Sequence, residues 1–75
     1  MNITVVTDSW ARRCLPQERT EVALPEGATV ADALAGLGVP EDEIGLTAVN
    51  GRAAPREAAL CGGDVLKIFP VVIGG

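Results

Sequence analysis

The residues best suited to chemistry are the last two, Gly74 and Gly75, which follow an apolar run. Glycine has no Cβ, so a Gly-Gly end can thread a narrow channel and bring its backbone close to another active site. The reactive group that such an end offers is the α-carboxylate of Gly75. We therefore expect Gly75 to react, Gly74 to provide clearance, and the folded part to serve as a handle by which enzymes hold the carboxylate.

Little else in the chain is equipped for catalysis or metal binding. It has 75 residues and contains neither histidine nor tyrosine, so the usual general base at neutral pH is missing. Cys14 and Cys61 are far apart, with no histidine beside them, and do not form a zinc site. We predict no catalytic residue, no metal and no bound cofactor. In a cytoplasmic protein, the two cysteines are expected to be thiols rather than a disulfide.

The charge of the chain limits its partners. Ten acidic and six basic side chains give a formal net charge of −4, which argues against a nucleic-acid binder and against an anionic membrane surface. The sequence also lacks a signal peptide or a long apolar span, and we expect a cytoplasmic protein. A basic groove on a partner protein would complement the charge. Arg12 and Arg13 could dock an acidic patch, as could Arg52 with Arg56. A solvated surface explains both pairs more simply.

The first third of the chain predicts two antiparallel strands. Residues 2–7 are rich in β-branched side chains and form the first strand, with Ile3 and Val5 facing the core. Residues 20–24 alternate again and form the returning strand, while residues 8–19 read as a long connection.

A short helix is predicted next. Thr29 begins it, and Asp32 supplies the acidic half of a capping box. Gly36 is expected inside the helix, and Gly38 suits the left-handed position that ends it. Its buried stripe follows the spacing i, i+4 and i+7 and consists of Val30, Leu34 and Leu37.

Further strands follow the helix and give the order β-β-α-β-β, an α+β class. The predicted elements are a solvated acidic loop at 41–43, a strand at 46–49, a turn at 50–51, a short strand and helical turn within 52–60 that place Leu60 inward, a turn at 61–64 and a last strand at 65–69. If Leu66 and Ile68 face the core, alternation places Phe69 on the opposite face. We interpret Phe69 as a partner anchor. The alternative is that sheet twist packs it at the core edge.

The predicted domain covers residues 1–70, and residues 71–75 are predicted to form a flexible tail. Pro70 lacks a backbone donor and is expected to keep the tail from continuing the sheet. Extended, the tail would reach on the order of 15 Å from the domain. The residues expected to bind a partner are Phe69, Pro70, Val71, Val72 and Ile73.

Three segments carry a resemblance to a known family: residues 25–34, 48–51 and 63–75. Together they resemble the MoaD/ThiS family of ubiquitin-like sulfur-carrier proteins. The resemblance implies a β-grasp fold, with one main helix across one face of a mixed sheet and the first and last strands parallel at its centre. It also implies that an E1-like enzyme uses ATP to adenylate Gly75. A sulfur donor system then converts the adenylate to a thiocarboxylate, and a sulfur-accepting synthase subunit receives the sulfur. The chain itself would be a carrier, a monomer when free.

The destination of the sulfur is left between two pathways. Phe69-Pro70 favours molybdopterin synthesis, whereas Val49-Asn50-Gly51 with Pro55-Arg56 downstream favours thiamine synthesis. We rank molybdopterin first. Two other functions stay open, namely a ubiquitin-like modifier joined to proteins through Gly75 and a non-covalent β-grasp interaction module.

Overall fold

The structure, a computed structural model, describes residues 1–7 and 19–71. The predictions for residues 8–18, and those for Val72, Ile73, Gly74 and Gly75, lie outside the described residues. The elements are β1 (Asn2–Val6), β2 (Arg19–Ala23), α1 (Val30–Ala35), a 3₁₀ turn (Glu41–Glu43), β3 (Ile44–Val49), β4 (Arg52–Ala53) and β5 (Val65–Pro70).

The five strands form one mixed sheet in the order β2-β1-β5-β3-β4. Strands β1 and β5 pair in parallel at its centre, and the other neighbours pair antiparallel. The predicted central parallel pair is therefore confirmed. No helix in the described parts of the chain combines the length and the apolarity that crossing a membrane requires.

The core lies between one face of the sheet and α1. Ile3 and Val5 of β1, with Leu66 and Ile68 of β5, are at most 1% exposed, as the alternation predicts. Helix α1 contributes Val30, Ala33 and Leu34, and Leu60 closes the cluster from the loop before β5. Strand β5 is the middle strand of the five, with a neighbour on each side and the core beneath it.

Helix α1 begins as predicted and ends earlier. Thr29 is its N-cap, and Thr29 and Asp32 form the full capping box. Gly36 is the C-cap rather than an interior residue, so the prediction that placed it inside the helix is wrong. Gly38 has a φ of 76°, the expected left-handed position. Leu37 lies beyond the helix and still packs against the core.

The pairing of β3 with β5 extends further than predicted, at the edge of the sheet where β3 begins and β5 ends. Strand β3 begins at Ile44, the acidic residues before it form the 3₁₀ turn, and β5 includes Pro70. The Val71 N–H donates to the Glu43 carbonyl at 3.1 Å. The last strand therefore ends one residue later than predicted, at Pro70. Val71 lies beyond the strand and keeps this one backbone bond, and the rest of the predicted tail lies outside the described residues. Ile44 and Pro70 are therefore a non-hydrogen-bonded pair of the antiparallel ladder. In such a pair the backbone nitrogen of residue 70 points away from β3, so the N–H that proline lacks is not needed for this pairing.

Candidate functional site at the end of β5

The predicted reactive end of the chain continues from the central strand. Leu66 and Ile68 are fully buried in the middle of β5. Val71, the last described residue, is still hydrogen-bonded to the neighbouring backbone. The chain is thus held by the sheet up to four residues before Gly75.

The face of the sheet opposite α1 carries apolar side chains near this point. Phe69 is half-buried there, and the Lys67 Nζ lies 5.2 Å from the centroid of its ring. Among the described residues, the exposed large apolar side chains are Leu46, 53% exposed, and Val71, 42% exposed. We call Leu46, Phe69 and Val71 the open-face patch. Phe69 therefore lies on the predicted face, and its role in partner binding stays a prediction.

Leu46 is a candidate that the sequence analysis did not identify. Ile44 pairs with Pro70 and Thr47 pairs with Ile68. Two residues of β3 therefore lie opposite the single residue Phe69, which defines a β-bulge. Alternation counted from the buried Ile44 would place Leu46 on the core face, and the bulge turns it to the open face instead. Gly45 beside it, a common residue at bulges, was the available signal.

Gly45 packs directly against the end of β5. A Cβ at this position would lie 2.7 Å from the carbonyl oxygen of Pro70 and 3.2 Å from the Cα of Val71. A separation of 2.7 Å is shorter than the contacts that Cβ atoms make in proteins. The atoms that this Cβ would meet belong to the backbone and cannot rotate away as a side chain could. Any side chain at position 45 would force β3 and β5 apart.

Arg56 supports the bulge from the neighbouring loop. Its guanidinium donates to Glu41 Oε1 at 3.1 Å, Thr47 Oγ1 at 3.2 Å, the Ile44 carbonyl at 3.3 Å and the Gly45 carbonyl at 3.4 Å. Thr47 is itself buried and donates to the Ala54 carbonyl at 2.7 Å. Arg56 is thus a half-buried structural residue, neither a free docking group nor a solvated one. Arg52 is exposed, as the solvated alternative expects.

The opposite end of β5 is held by a polar network. Asn50 donates to Asp64 Oδ1 at 3.0 Å and accepts from the Val65 N–H at 3.0 Å. The Cys61 N–H donates to Asp64 Oδ2 at 2.8 Å. This backbone bond, followed by the bond from Asn50, lowers the pKa of Asp64 below its usual value. Cys61 is an exposed free thiol in the predicted turn.

No group of three or more His, Cys, Asp or Glu side chains among residues 1–7 and 19–71 could hold a metal ion. The arrangement can hold a chain end and offer an apolar face beside it. An acidic turn, Glu41–Glu43, lies at the same edge.

Comparison with known proteins places the chain in a family. The sequence profile of the ThiS family matches residues 9–75. No curated protein sequence matches the chain significantly.

Solved structures share the whole architecture. The crystal structure of SAMP1 from Haloferax volcanii has a TM-score of 0.80 at 27% identity, over 100% of both chains. A Pyrococcus furiosus protein assigned as molybdopterin converting factor subunit 1 has a TM-score of 0.79 at 29% identity, over 96% of this chain and 99% of that one. The solution structure of the H. volcanii protein HVO 2177 has a TM-score of 0.77 at 25% identity, over 100% and 87%. The predicted β-grasp fold and the resemblance to MoaD and ThiS are confirmed.

Proposed function

Since this chain belongs to the ThiS family, we propose that it is a sulfur carrier whose reactive group is the α-carboxylate of Gly75. An E1-like adenylating enzyme supplies the catalysis, and this chain is its protein substrate. The observation that carries the proposal is that the family match extends to Gly75, in a chain whose middle strand, β5, ends at Pro70, five residues earlier.

The chemistry requires activation because a carboxylate is a poor electrophile. A carboxylate oxygen of Gly75 attacks the α-phosphorus of ATP, pyrophosphate leaves, and an acyl-adenylate forms. A sulfur nucleophile from the donor system then attacks the carbonyl carbon and AMP leaves. With hydrosulfide as the nucleophile, the product is the thiocarboxylate directly, and no oxidant or reductant is consumed.

The described residues support the handling of such a substrate. The open-face patch gives the partner an apolar surface beside the departing chain, and burying one such side chain contributes up to about 1.5–3 kcal/mol. Pro70, Val71, Val72 and Ile73 extend that surface in the proposal. The acidic turn at the same edge fits a partner with a basic rim.

The proposed partners are the adenylating enzyme, a sulfur donor system and a sulfur-accepting synthase subunit. Because activation consumes ATP, the proposal places the reaction in the cytoplasm. The similarity to a molybdopterin converting factor subunit agrees with ranking molybdopterin first, whereas the profile match is to ThiS. Presenting the thiocarboxylated protein to each class of acceptor enzyme would decide between molybdopterin and thiamine.

The direct test is intact-mass spectrometry after incubation with the adenylating enzyme of the host, ATP and sulfide labelled with a heavy sulfur isotope. We expect the protein to gain sulfur in place of one oxygen. Ordinary sulfide would give the same nominal gain as an oxidation, and the isotope separates the two.

The matched control is the same protein lacking Gly75, which keeps the fold and the patch but moves the carboxylate to Gly74. A labelled gain confined to the complete chain supports the proposal. An unlabelled protein, together with a partner shown to be active on another carrier, would contradict it.

A second function is favoured by one observation, the similarity to SAMP1, a small archaeal modifier protein. In that function Gly75 forms an isopeptide bond with a lysine of another protein. Trypsin cleaves after Lys67, so a modified lysine would retain residues 68–75 as an eight-residue remnant. Peptides with that branch in cells expressing the protein would establish the modifier function, and their loss in the variant lacking Gly75 is the control.

A further inference from the structure

We propose that Gly45, supported by Arg56, is a positioning residue that fixes where the reactive tail leaves the sheet relative to the open-face patch. This inference rests on the proposed function, because it concerns how the same tail is presented to the activating enzyme. Gly45 and Arg56 act through the chain end and touch none of the reacting atoms.

The first step is the close approach at Gly45. Its hydrogen is the only substituent that fits, since a Cβ would lie 2.7 Å from the Pro70 oxygen and 3.0 Å from the Pro70 carbonyl carbon. The φ of Gly45 is not in the left-handed region that favours glycine. The requirement is therefore one of space, and it is set by the backbone at the end of β5.

The second step is that the backbone around Gly45 is fixed from the other side. Arg56 donates to the carbonyls of Ile44 and Gly45, and its side chain is only 29% exposed. The Glu43 carbonyl accepts from the Val71 N–H. Three consecutive carbonyls, at 43, 44 and 45, are thus engaged either by the guanidinium or by the departing chain. We call this set of contacts the exit clamp.

The third step connects the exit clamp to the reaction. Leu46 of the patch follows Gly45 directly, and Val71 follows Pro70 directly, so the clamp joins the docking surface to the start of the tail. A partner that grips the patch must receive the carboxylate at a fixed distance from it. The four residues after Val71 span at most about 13–14 Å, so the tail can compensate only in part for a shift of the point where it leaves the sheet. A misplacement of the reacting group by about 1 Å can slow a reaction on the order of a hundredfold.

The test uses Gly45→Ala in the full chain, with Gly36→Ala as the matched control. Position 36 is the right-handed C-cap of α1, and a Cβ there would meet nothing closer than the Ala33 oxygen at 3.8 Å. The two variants make the same chemical change, and only one of them disturbs the exit clamp. Arg56→Lys is the second variant. It keeps the charge and loses the planar fork that reaches two carbonyls.

Two measurements separate a positioning role from a general loss of structure. In the free protein, we expect the Val71 amide to exchange its hydrogen faster in Gly45→Ala, while amides of β1 keep their protection. With the adenylating enzyme, we expect kcat for adenylate formation to fall by about tenfold to a hundredfold, with the dissociation constant measured without ATP little changed. Arg56→Lys should shift both quantities in the same direction by less, and Gly36→Ala should shift neither.

The inference is overturned if Gly45→Ala keeps wild-type exchange at Val71, or if its kcat equals that of Gly36→Ala. If Gly45→Ala does not fold, Arg56→Lys decides by the same two measurements. An inactive wild-type protein would instead contradict the proposed function. In that case the Val71 exchange alone would judge the exit clamp, since it requires no partner.

Discussion

The two ends of strand β5 are held in different ways. At its start, a side-chain network adds to the backbone bonds: Asn50 and Asp64 bond to each other and to the backbones of Val65 and Cys61. At its end, the contacts are between backbones, with Gly45 packed against Pro70. We call the start of β5, at Val65, the scaffold end, because its contacts join two turns of the fold. We call the other end, at Pro70, the presenting end, because it leads to the group that we propose to react.

This difference suggests that one end of β5 determines the stability of the fold and the other determines how the chain is presented to a partner. A polar network that closes two turns sets the register of the central strand and should affect folding. A bulge that places apolar side chains on the open face affects mainly what the surface offers to a partner. Substitutions at the two ends should therefore change different measured quantities, and the following predictions test that separation.

The largest effect is expected from Asn50→Ala at the scaffold end. Asn50 has a φ of 52°, a left-handed conformation that costs alanine roughly 1–2 kcal/mol. Its side-chain hydrogen bonds to Asp64 and Val65 would also be lost, at about 0.5–1.5 kcal/mol each. We expect the free energy of unfolding, measured in urea, to fall by on the order of 2 kcal/mol, with affinity for the adenylating enzyme unchanged in the folded protein.

Asn50→Gly is the control that divides this effect. Glycine adopts the left-handed conformation freely but makes no side-chain hydrogen bond. We expect it to recover roughly half of the lost stability. A weaker affinity for the partner in either variant would show that the two ends of β5 are not independent.

A smaller effect, on a different quantity, is expected from Phe69→Ala at the presenting end. Removing the half-buried ring from the patch should weaken binding to the adenylating enzyme about tenfold, or about 1.4 kcal/mol. Val65→Ala is the control because Val65 lies on the same face at the other end of β5. Titration calorimetry should find its affinity close to wild type. Equal losses for the two variants would indicate a diffuse contact with no centre at Phe69.

The scaffold end could be predicted from the sequence because its signals are local. Asn50-Gly51 and Gly63-Asp64 are turn dipeptides, and the backbone at 50, 51 and 63 has the positive φ they indicate. The capping box of α1 and the inward side chains of β1 and β5 follow from spacing in the same way. Each of these patterns spans only a few residues.

The presenting end could not be predicted because its causes are distant in the chain. The bulge depends on Gly45 meeting Pro70, 25 positions later, and on Arg56 bonding to the carbonyls of Ile44 and Gly45. Gly45 lies within β3 and is compatible with a bulge, but the register shift also depends on Pro70 and Arg56, so Leu46 was not identified as a surface residue. For the same reason the last strand was predicted to end at Phe69, whereas it includes Pro70.

The smallest expected effect is a pH dependence located at the scaffold end. Hydrogen bonds from the Cys61 N–H and from Asn50 hold the pKa of Asp64 below its ordinary value. A carboxyl whose pKa is lower in the folded state stabilises the fold at pH values above its unfolded pKa, near 3.9, and that contribution is lost as the pH falls through the folded pKa. The stability advantage of wild type over Asp64→Asn should therefore be constant from neutral pH down to about pH 5 and shrink below about pH 4. Urea midpoints of both proteins across this range measure it, and an advantage that persists unchanged into acid would mean that the charge of Asp64 does not hold the start of β5.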